Sequence, residues 1–446
     1  MPWTQQDGHW GNYLDALVTA VSATCVTGVA TYEKGVADTL SFGGQVITII
    51  MVQIGGLGFI TILTFIVTIF KQKLQFQDRY FISQMVSSTN FADVVKFVRK
   101  IITITFICEG IGFILFFPAF GIMTNWNIGL TIWNSLYHSI SAFNNAGFDL
   151  FHGTTSLIRA PGGDQLGMLN TGAYIYFCSV CCLLIVAGGI SFIVISDIFD
   201  FKKRPNQWRA FTKAVLLTSL ILIVAGTGLL FLTDGLKGPG SMTFLDCLFQ
   251  SITCRTAGFC TYPQYQISAA GKIICNFLMI VGGSPLSTAG GIKTTTIFIL
   301  VLAMISYFRG KKAIAFKRSF STNLMVKAMS LIFISLFVLI LGYIGLKVFG
   351  LDSKYAFEEI TFDGAVISDK VNLDELYVYE VFSCFGTVGF FAGMEPYLSI
   401  GSKIVLCLLM FLGRLGPITF FQVFHTDMDK VESVHYQYVE EDLLIG

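Results

Sequence analysis

Apolar positions along this chain cluster in runs of two lengths. Long runs lie roughly at 45–70, 100–123, 172–198, 211–233, 271–308, 324–350 and 402–424, each near or above the ~20 residues that cross a bilayer as helix. Shorter stretches lie at 13–24, 130–143, 242–254 and 374–385; at half membrane length they predict re-entrant helices that enter the bilayer and turn back. Each short stretch runs into a Gly-centred peptide: SATCVTGV (22–29), SAFNNAGF (141–148), ITCRTAGF (252–259) and SCFGTVGF (383–390). Their glycines, Gly28, Gly147, Gly258 and Gly389, are 119, 111 and 131 residues apart. Non-helical backbone at membrane depth is costly unless it lines a cavity, where its carbonyls can solvate an ion.

One unit therefore recurs: outer helix, pore helix, filter peptide, inner helix. Each copy runs in the same sense, so the four are parallel repeats able to surround one axis. The expected fold is an all-α polytopic membrane protein of four pseudo-symmetric repeats around a central ion pore. The expected boundaries are 1–70 for the first repeat, 100–200 for the second, 211–308 for the third and 324–424 for the fourth. Connectors at 71–99, 201–210 and 309–323 separate them, and 425–446 is a tail. The first apolar stretch leads straight into the first filter, so the first unit is expected to lack its outer helix or the protein to start earlier. Asp149 to Asn170, longer than its counterparts and rich in Gly and Pro, is expected to be an external loop.

Composition agrees with this pattern. The chain has 446 residues, 54% hydrophobic and 13% charged, against about 25% charge in a soluble domain. The net charge of +1 says nothing about partners until its placement is examined. Lys71, Lys73, Arg79, Lys96, Arg99 and Lys100 form one basic cluster. Lys202, Lys203, Arg204, Arg209 and Lys213 form a second, and Arg309, Lys311, Lys312, Lys317, Arg318 and Lys327 a third. These are 17 of 29 basic residues; the positive-inside rule makes the connectors and the C-terminus cytoplasmic and the filters outward-facing. The acidic stretch 352–375 then lies outside. The eleven cysteines, including the Cys178/Cys181 pair, sit in apolar runs and read as packing residues. No paired carboxylates or histidine cluster points to an enzyme, and no nucleic-acid partner is expected.

The fourth peptide, Thr387-Val388-Gly389-Phe390, is close to the T-V-G-Y string of potassium filters. The candidate filter residues are Val26, Thr27 and Gly28; Asn145, Ala146 and Gly147; Thr256, Ala257 and Gly258; Thr387, Val388 and Gly389. Downstream, GQVITIIMVQIGG (44–56), GKIICNFLMIVGG (271–283) and SKIVLCLLMFLGRLG (402–416) each place a glycine eleven residues on. Between them, GGSPLSTAGGIK interrupts the third inner helix, because its glycines and proline cannot propagate a helix. A loop across the cavity follows, formed by Gly282, Gly283, Ser284, Pro285, Leu286, Ser287, Thr288, Ala289, Gly290 and Gly291. Arg414 is an intramembrane charge expected to face the cavity. Arg255, in the third filter peptide, reads as a buried structural cation paired with an acid. Lys293 is expected to snorkel at the cytoplasmic interface.

With these strings in order, the chain resembles the Trk/Ktr/HKT superfamily of potassium transporters, most closely the bacterial Ktr or Trk membrane subunit. SATCVTG, SAFNNAGF, RTAGF and GTVGF resemble its four filters; QIGGLGF (53–59), GGSPLSTAGGIKTTT (282–296) and GRLGPITF (413–420) resemble its inner-helix signatures. The resemblance implies potassium uptake across the bacterial plasma membrane, with a pore in each protomer of a homodimer. It implies a cytosolic nucleotide-binding ring as partner, so that nucleotide acts only through that subunit. It also implies a gate made by the 282–291 loop and Arg414, and sodium as a further ion. Serine at the position of Gly28 accompanies sodium transport in some members, so glycine here favours potassium. Pro285 and Leu286 replace smaller residues usual in the family. The basic connectors can dock the partner or lipid headgroups, and the tail lies near the family's dimer contact. The alternative reading is an alternating-access cation symporter, which more often shows paired broken helices; here one broken inner helix is expected.

Overall fold

A computed structural model describes residues 2–32, 35–58, 91–151, 171–199, 207–238, 241–353, 361–362, 365–366, 372–390 and 393–416. The early part of the 71–99 connector, Lys202 to Arg204, the external loop beyond residue 151, most of the acidic 352–375 stretch and the tail lie outside the described residues.

The helices follow the repeat. The first unit has pore helix α1 (Tyr13–Cys25), a short α2 (Gly35–Thr39) and inner helix α3 (Phe42–Leu57). The second has outer helix α4 (Phe91–Met123), pore helix α5 (Ile128–Asn144) and an inner helix divided into α6 (Thr171–Gly189) and α7 (Phe192–Phe199). The third has outer helix α8 (Ala210–Leu230), extended by a wider turn to Gly235, pore helix α9 (Phe244–Thr253) and inner segments α10 (Ala269–Ile280) and α11 (Thr294–Arg309). The fourth has α12 (Thr322–Phe349), α13 (Leu373–Gly386) and α14 (Ile400–Leu415). Two short hairpins, β1 (Ile314–Ala315) with β2 (Arg318–Ser319) and β3 (Thr361–Phe362) with β4 (Ala365–Val366), were not expected. Each strand is two residues long, too short for an alternating pattern to register. The first hairpin carries Lys317 and Arg318 of the third basic cluster, both exposed.

Four helices among the described residues are long and apolar enough to span a bilayer: α4, α6, α8 with its extension, and α12. The inner helices α3, α10, α11 and α14 are shorter. The sequence reads the second inner helix as one run over 172–198, but the structure breaks it at Ile190 and Ser191. Phe192 N–H there donates to Leu286 O at 3.0 Å, so the 281–293 loop supplies the interrupted partner.

Local chemistry sets the helix starts. Ser41, Ser268 and Ser399 cap the inner helices of units one, three and four through bonds from Gly44, Gly271 and Ser402 N–H at 3.1–3.3 Å. Thr243 and Asp246 form a reciprocal capping box on α9. Small residues let helices approach within each unit. A Cβ at Gly112, Gly226 or Gly342 on the outer helices would lie 2.8–2.9 Å from Leu184, Leu278 or Leu409 of the inner helix.

Polar contacts join successive units at the same level. Trp133 Nε1 on α5 donates to Gln45 Oε1 on α3 at 2.8 Å. Tyr174 OH on α6 donates to Asp246 on α9 at 3.2 Å. Lys272 on α10 pairs with Glu375 on α13 at 3.7 Å, and Lys403 on α14 with Asp15 on α1 at 2.7 Å. Each runs from the start of one inner helix to the start of the next pore helix, and the last closes unit four onto unit one. Thr31 also donates to Asp15 at 2.7 Å.

Replacing Lys403 alone strands the Asp15 carboxylate, whose side chain is only 16% exposed. K403M is expected to destabilise by about 2–3 kcal/mol, read as a lower melting temperature in detergent. The D15N/K403M pair should recover most of the loss; equal losses in the single and double variants would remove the ion pair from this role.

Candidate functional site

The four pore helices end at the centre of the assembly in one recurring geometry. Val26, Asn145 and Thr387 cap α1, α5 and α13 in the left-handed region, with φ of 58°, 59° and 51°. Thr256 follows α9 with φ of 77°. Two residues on, Gly28, Gly147, Gly258 and Gly389 are again left-handed, at 101°, 70°, 80° and 80°. For β-branched Val26, Thr256 and Thr387 this backbone is strained, at roughly 1–3 kcal/mol each.

Surrounding bonds hold the turns. Thr27, Ala146 and Val388 N–H donate to the carbonyls of Ser22, Ser141 and Ser383 at 2.8–2.9 Å. The serine hydroxyls then brace the peptide beyond. Ser22 Oγ accepts from Gly28 N–H at 3.0 Å, and Ser383 Oγ from Gly389 and Phe390 N–H at 3.1 and 2.9 Å. Ser141 donates to Phe148 O at 2.6 Å. In the third unit the hydroxyl comes from Thr253, one residue nearer the glycine, and donates to Phe259 O at 2.8 Å.

The four peptides close into a ring. A Cβ at Gly28 would lie 2.6 Å from Ala146 O, at Gly147 2.7 Å from Ala257 O, at Gly258 2.2 Å from Val388 O, and at Gly389 1.8 Å from Thr27 O. Each glycine thus abuts the carbonyl preceding the next unit's glycine, in the order one, two, three, four and back to one. Four carbonyl oxygens around one axis can replace the hydration shell of a cation without a side-chain charge. The hydroxyls of Thr27, Thr256 and Thr387 are buried with no hydrogen-bond partner among the described residues. All twelve residues singled out in the sequence belong to these peptides.

Beneath them the inner helices meet the pore-helix ends. A Cβ at Gly55, Gly188 or Gly413 would lie 1.7–2.0 Å from the carbonyl of Thr24, Phe143 or Phe385. The loop between α10 and α11 lies across this level. Ser284 N–H and Oγ donate to Gly189 O at 3.0 and 2.9 Å, and Thr288 Oγ1 donates to Gly188 O and Phe143 O at 2.9 and 3.2 Å. Gly291 N–H donates to Gly413 O at 3.2 Å. A Cβ at Gly290 would come 2.1 Å from Thr387 Oγ1, which places the loop against the fourth filter peptide. Arg414 donates to both Thr288 O on the loop and Gly55 O on α3.

Two expectations change. Arg255 is buried but has no acidic partner among the described residues; its guanidinium reaches Ser219 on α8, with Oγ at 3.1 Å. Lys293 does not snorkel: its Nζ turns back to Ala289 O at 2.7 Å and Gly290 O at 3.4 Å, closing the loop on itself. Loop carbonyls left free by the broken helix outcompete the interface for this donor. The unit-to-unit contacts of Gln45, Asp15, Lys272 and Lys403 escaped the sequence reading, although the recurring G-Q-V, G-K-I and S-K-I starts of the inner helices carried the signal.

Fold and site together define a multi-pass membrane transport protein with four pore units folded from one chain. The chain belongs to the TrkH family of cation transport proteins, whose model matches residues 3–436. It is 33% identical to the potassium/sodium uptake protein NtpJ of Enterococcus hirae, over all of this chain and 92% of that protein. It is 31% identical to the Ktr system potassium uptake protein B of Bacillus subtilis, over 98% of this chain and 90% of that protein. The crystal structure of the potassium transporter TrkH from Vibrio parahaemolyticus shares the fold, with a TM-score of 0.66 at 17% identity over 93% of this chain and 78% of that one.

The ring distances grade the cost of adding a methyl group. G389A, whose Cβ would lie 1.8 Å from Thr27 O, is expected to abolish cation flux, and G147A, at 2.7 Å, to leave a measurable fraction. Tracer uptake into proteoliposomes checks this, and full flux in G389A would contradict the ring.

Proposed function

We propose that this protein takes up potassium across the plasma membrane through a channel-like pore. The closed ring of four glycines and four carbonyls carries this reading. The filter is formed by Val26 to Gly28, Asn145 to Gly147, Thr256 to Gly258 and Thr387 to Gly389. Potassium sheds water there onto carbonyls that pay little reorganisation, because capping bonds already hold them in place. Three pore-helix C-termini facing inner-helix glycines add negative potential beneath the filter.

The 282–291 loop acts as the gate. Its bonds to Gly188, Gly189 and Gly413, its contact with Thr387 and the Arg414 bridge support a closed position. Arg414 also sets positive charge in the cation path. The division into repeats at 1–70, 100–200, 211–308 and 324–424 follows the helix order. A homodimer, a cytosolic nucleotide-binding regulatory subunit docking on the basic connectors, a cytoplasmic C-terminus and a sodium dependence complete the reading, supported by the likeness to Ktr and NtpJ proteins. The second broken inner helix, at Ser191, is the observation that favours an alternating-access symporter. Its bond to Leu286 of the loop, from Phe192 N–H, supports reading it as part of the gate instead.

G28S adds a side chain where φ is 101° and a Cβ already meets Ala146 O at 2.6 Å. It is expected to lower potassium over sodium discrimination in proteoliposome flux; unchanged selectivity would sink the filter assignment. R414A, or deletion of Pro285 to Gly290, is expected to raise basal flux several-fold. A fall in flux from well-folded R414A protein would count against the gate.

A further inference from the structure

We propose that Glu109, Asn144, Gln53 and Thr105 form a second cation site, outside the filter, that binds sodium. Glu109 lies on α4 and is 5% exposed; Asn144, the last residue of α5, is fully buried. Gln53 approaches from α3, so the group sits where units one and two meet, directly behind the second filter peptide. Thr105 lies one turn before Glu109 on α4, on the same face.

The hydrogen bonding of this group does not close. Asn144 Nδ2 faces three acceptors: Gln53 Oε1 at 3.1 Å, Glu109 Oε1 at 3.0 Å and Ile140 O at 2.9 Å. An amide nitrogen carries two hydrogens, so one oxygen goes without. Among the described residues, Asn144 Oδ1, Thr105 Oγ1 and Gln53 Nε2 are buried and make no hydrogen bond of good geometry. Asn144 Oδ1 packs on Gly56, where a Cβ would lie 1.9 Å away. No lysine or arginine among the described residues pairs with Glu109.

Phe143, next to Asn144 in the chain, and Ile101, one turn before Thr105, belong to a buried apolar cluster with Phe192 and Ile195. A carboxylate there is costly unless a positive charge joins it. Asn144 points Nδ2 at Glu109 and Gln53 and rests Oδ1 against Gly56, so cation binding requires its amide to turn over; the ligands are then all hard oxygens, a carboxylate, two amide carbonyls and a hydroxyl. Hard oxygen sets suit hard cations, and a full negative charge makes a stronger field than neutral filter carbonyls, which favours the smaller sodium ion over potassium. The filter selects by carbonyl dipoles, whereas this group offers charge, so the two sites differ in preference.

The test is equilibrium binding of radioactive sodium to the purified full-length protein in detergent, with excess potassium to fill the filter. That use of potassium rests on the filter reading, so potassium binding is measured alongside: its absence would count against the filter reading and leave this site to be judged on sodium binding alone. The wild-type protein is expected to show saturable, potassium-resistant sodium binding. E109Q, which keeps the shape of the side chain and removes its charge, should lose it, with potassium binding as the check on folding. T105V, nearly isosteric, should weaken it by about tenfold, the loss of one hydroxyl ligand; it decides the matter if E109Q does not fold. Absence of potassium-resistant sodium binding in the wild type, or E109Q and T105V binding sodium as well as the wild type, would overturn the proposal. The first result would mean that Glu109 holds a proton instead.

Discussion

Everything in this structure answers to one steric condition: four glycines must stand close enough for each to touch the carbonyl of its neighbour. A methyl group at Gly389 would lie 1.8 Å from Thr27 O, inside any permissible contact. Only glycine both vacates that space and accepts a φ near +80° without strain. Once the ring is closed, the pore helices must converge on one axis and their ends must carry left-handed caps. The inner helices must then present Gly55, Gly188 and Gly413 where they pass beneath.

Holding such a ring requires that its four supports do not drift apart. A membrane supplies little hydrophobic force between helices, so packing of small residues and polar contacts take over. Gly112, Gly226 and Gly342 seat the inner-helix leucines inside units two, three and four. The contacts Gln45–Trp133, Tyr174–Asp246, Lys272–Glu375 and Lys403–Asp15 tie each unit to the next. The charged pairs fall on the two joints around unit four, including the closure onto unit one. The loop between α10 and α11 then ties the same units from below, through Gly188, Gly413 and, by way of Arg414, Gly55.

Much of this was legible in the sequence because it repeats. The half-length apolar stretches marked the pore helices to within a few residues, and the four Gly peptides marked the ring. The run of glycines with Pro285 marked the break between α10 and α11. Other features were hidden for physical reasons. The break at Ser191 has no proline beside it; it exists because Leu286, 95 residues away in sequence, accepts the freed N–H of Phe192. Arg255 looked like half of an ion pair because a buried cation ordinarily needs an acid, yet Ser219 meets it. Lys293 looked interfacial because lysine near a helix end usually snorkels, but the open carbonyls of its own loop lay closer. The carboxyl of Glu109 sat within an apolar run whose period gave no hint that Asn144 and Gln53 would face it.

The central claim is that carbonyls of Thr27, Ala146, Ala257 and Val388 take the place of water around a potassium ion. Anomalous diffraction from crystals soaked in thallium(I), a heavy stand-in for potassium, locates that ion directly. A peak on the common axis within coordinating distance of these four oxygens is the expected result. Thallium bound only elsewhere, with no peak inside the ring, would contradict it.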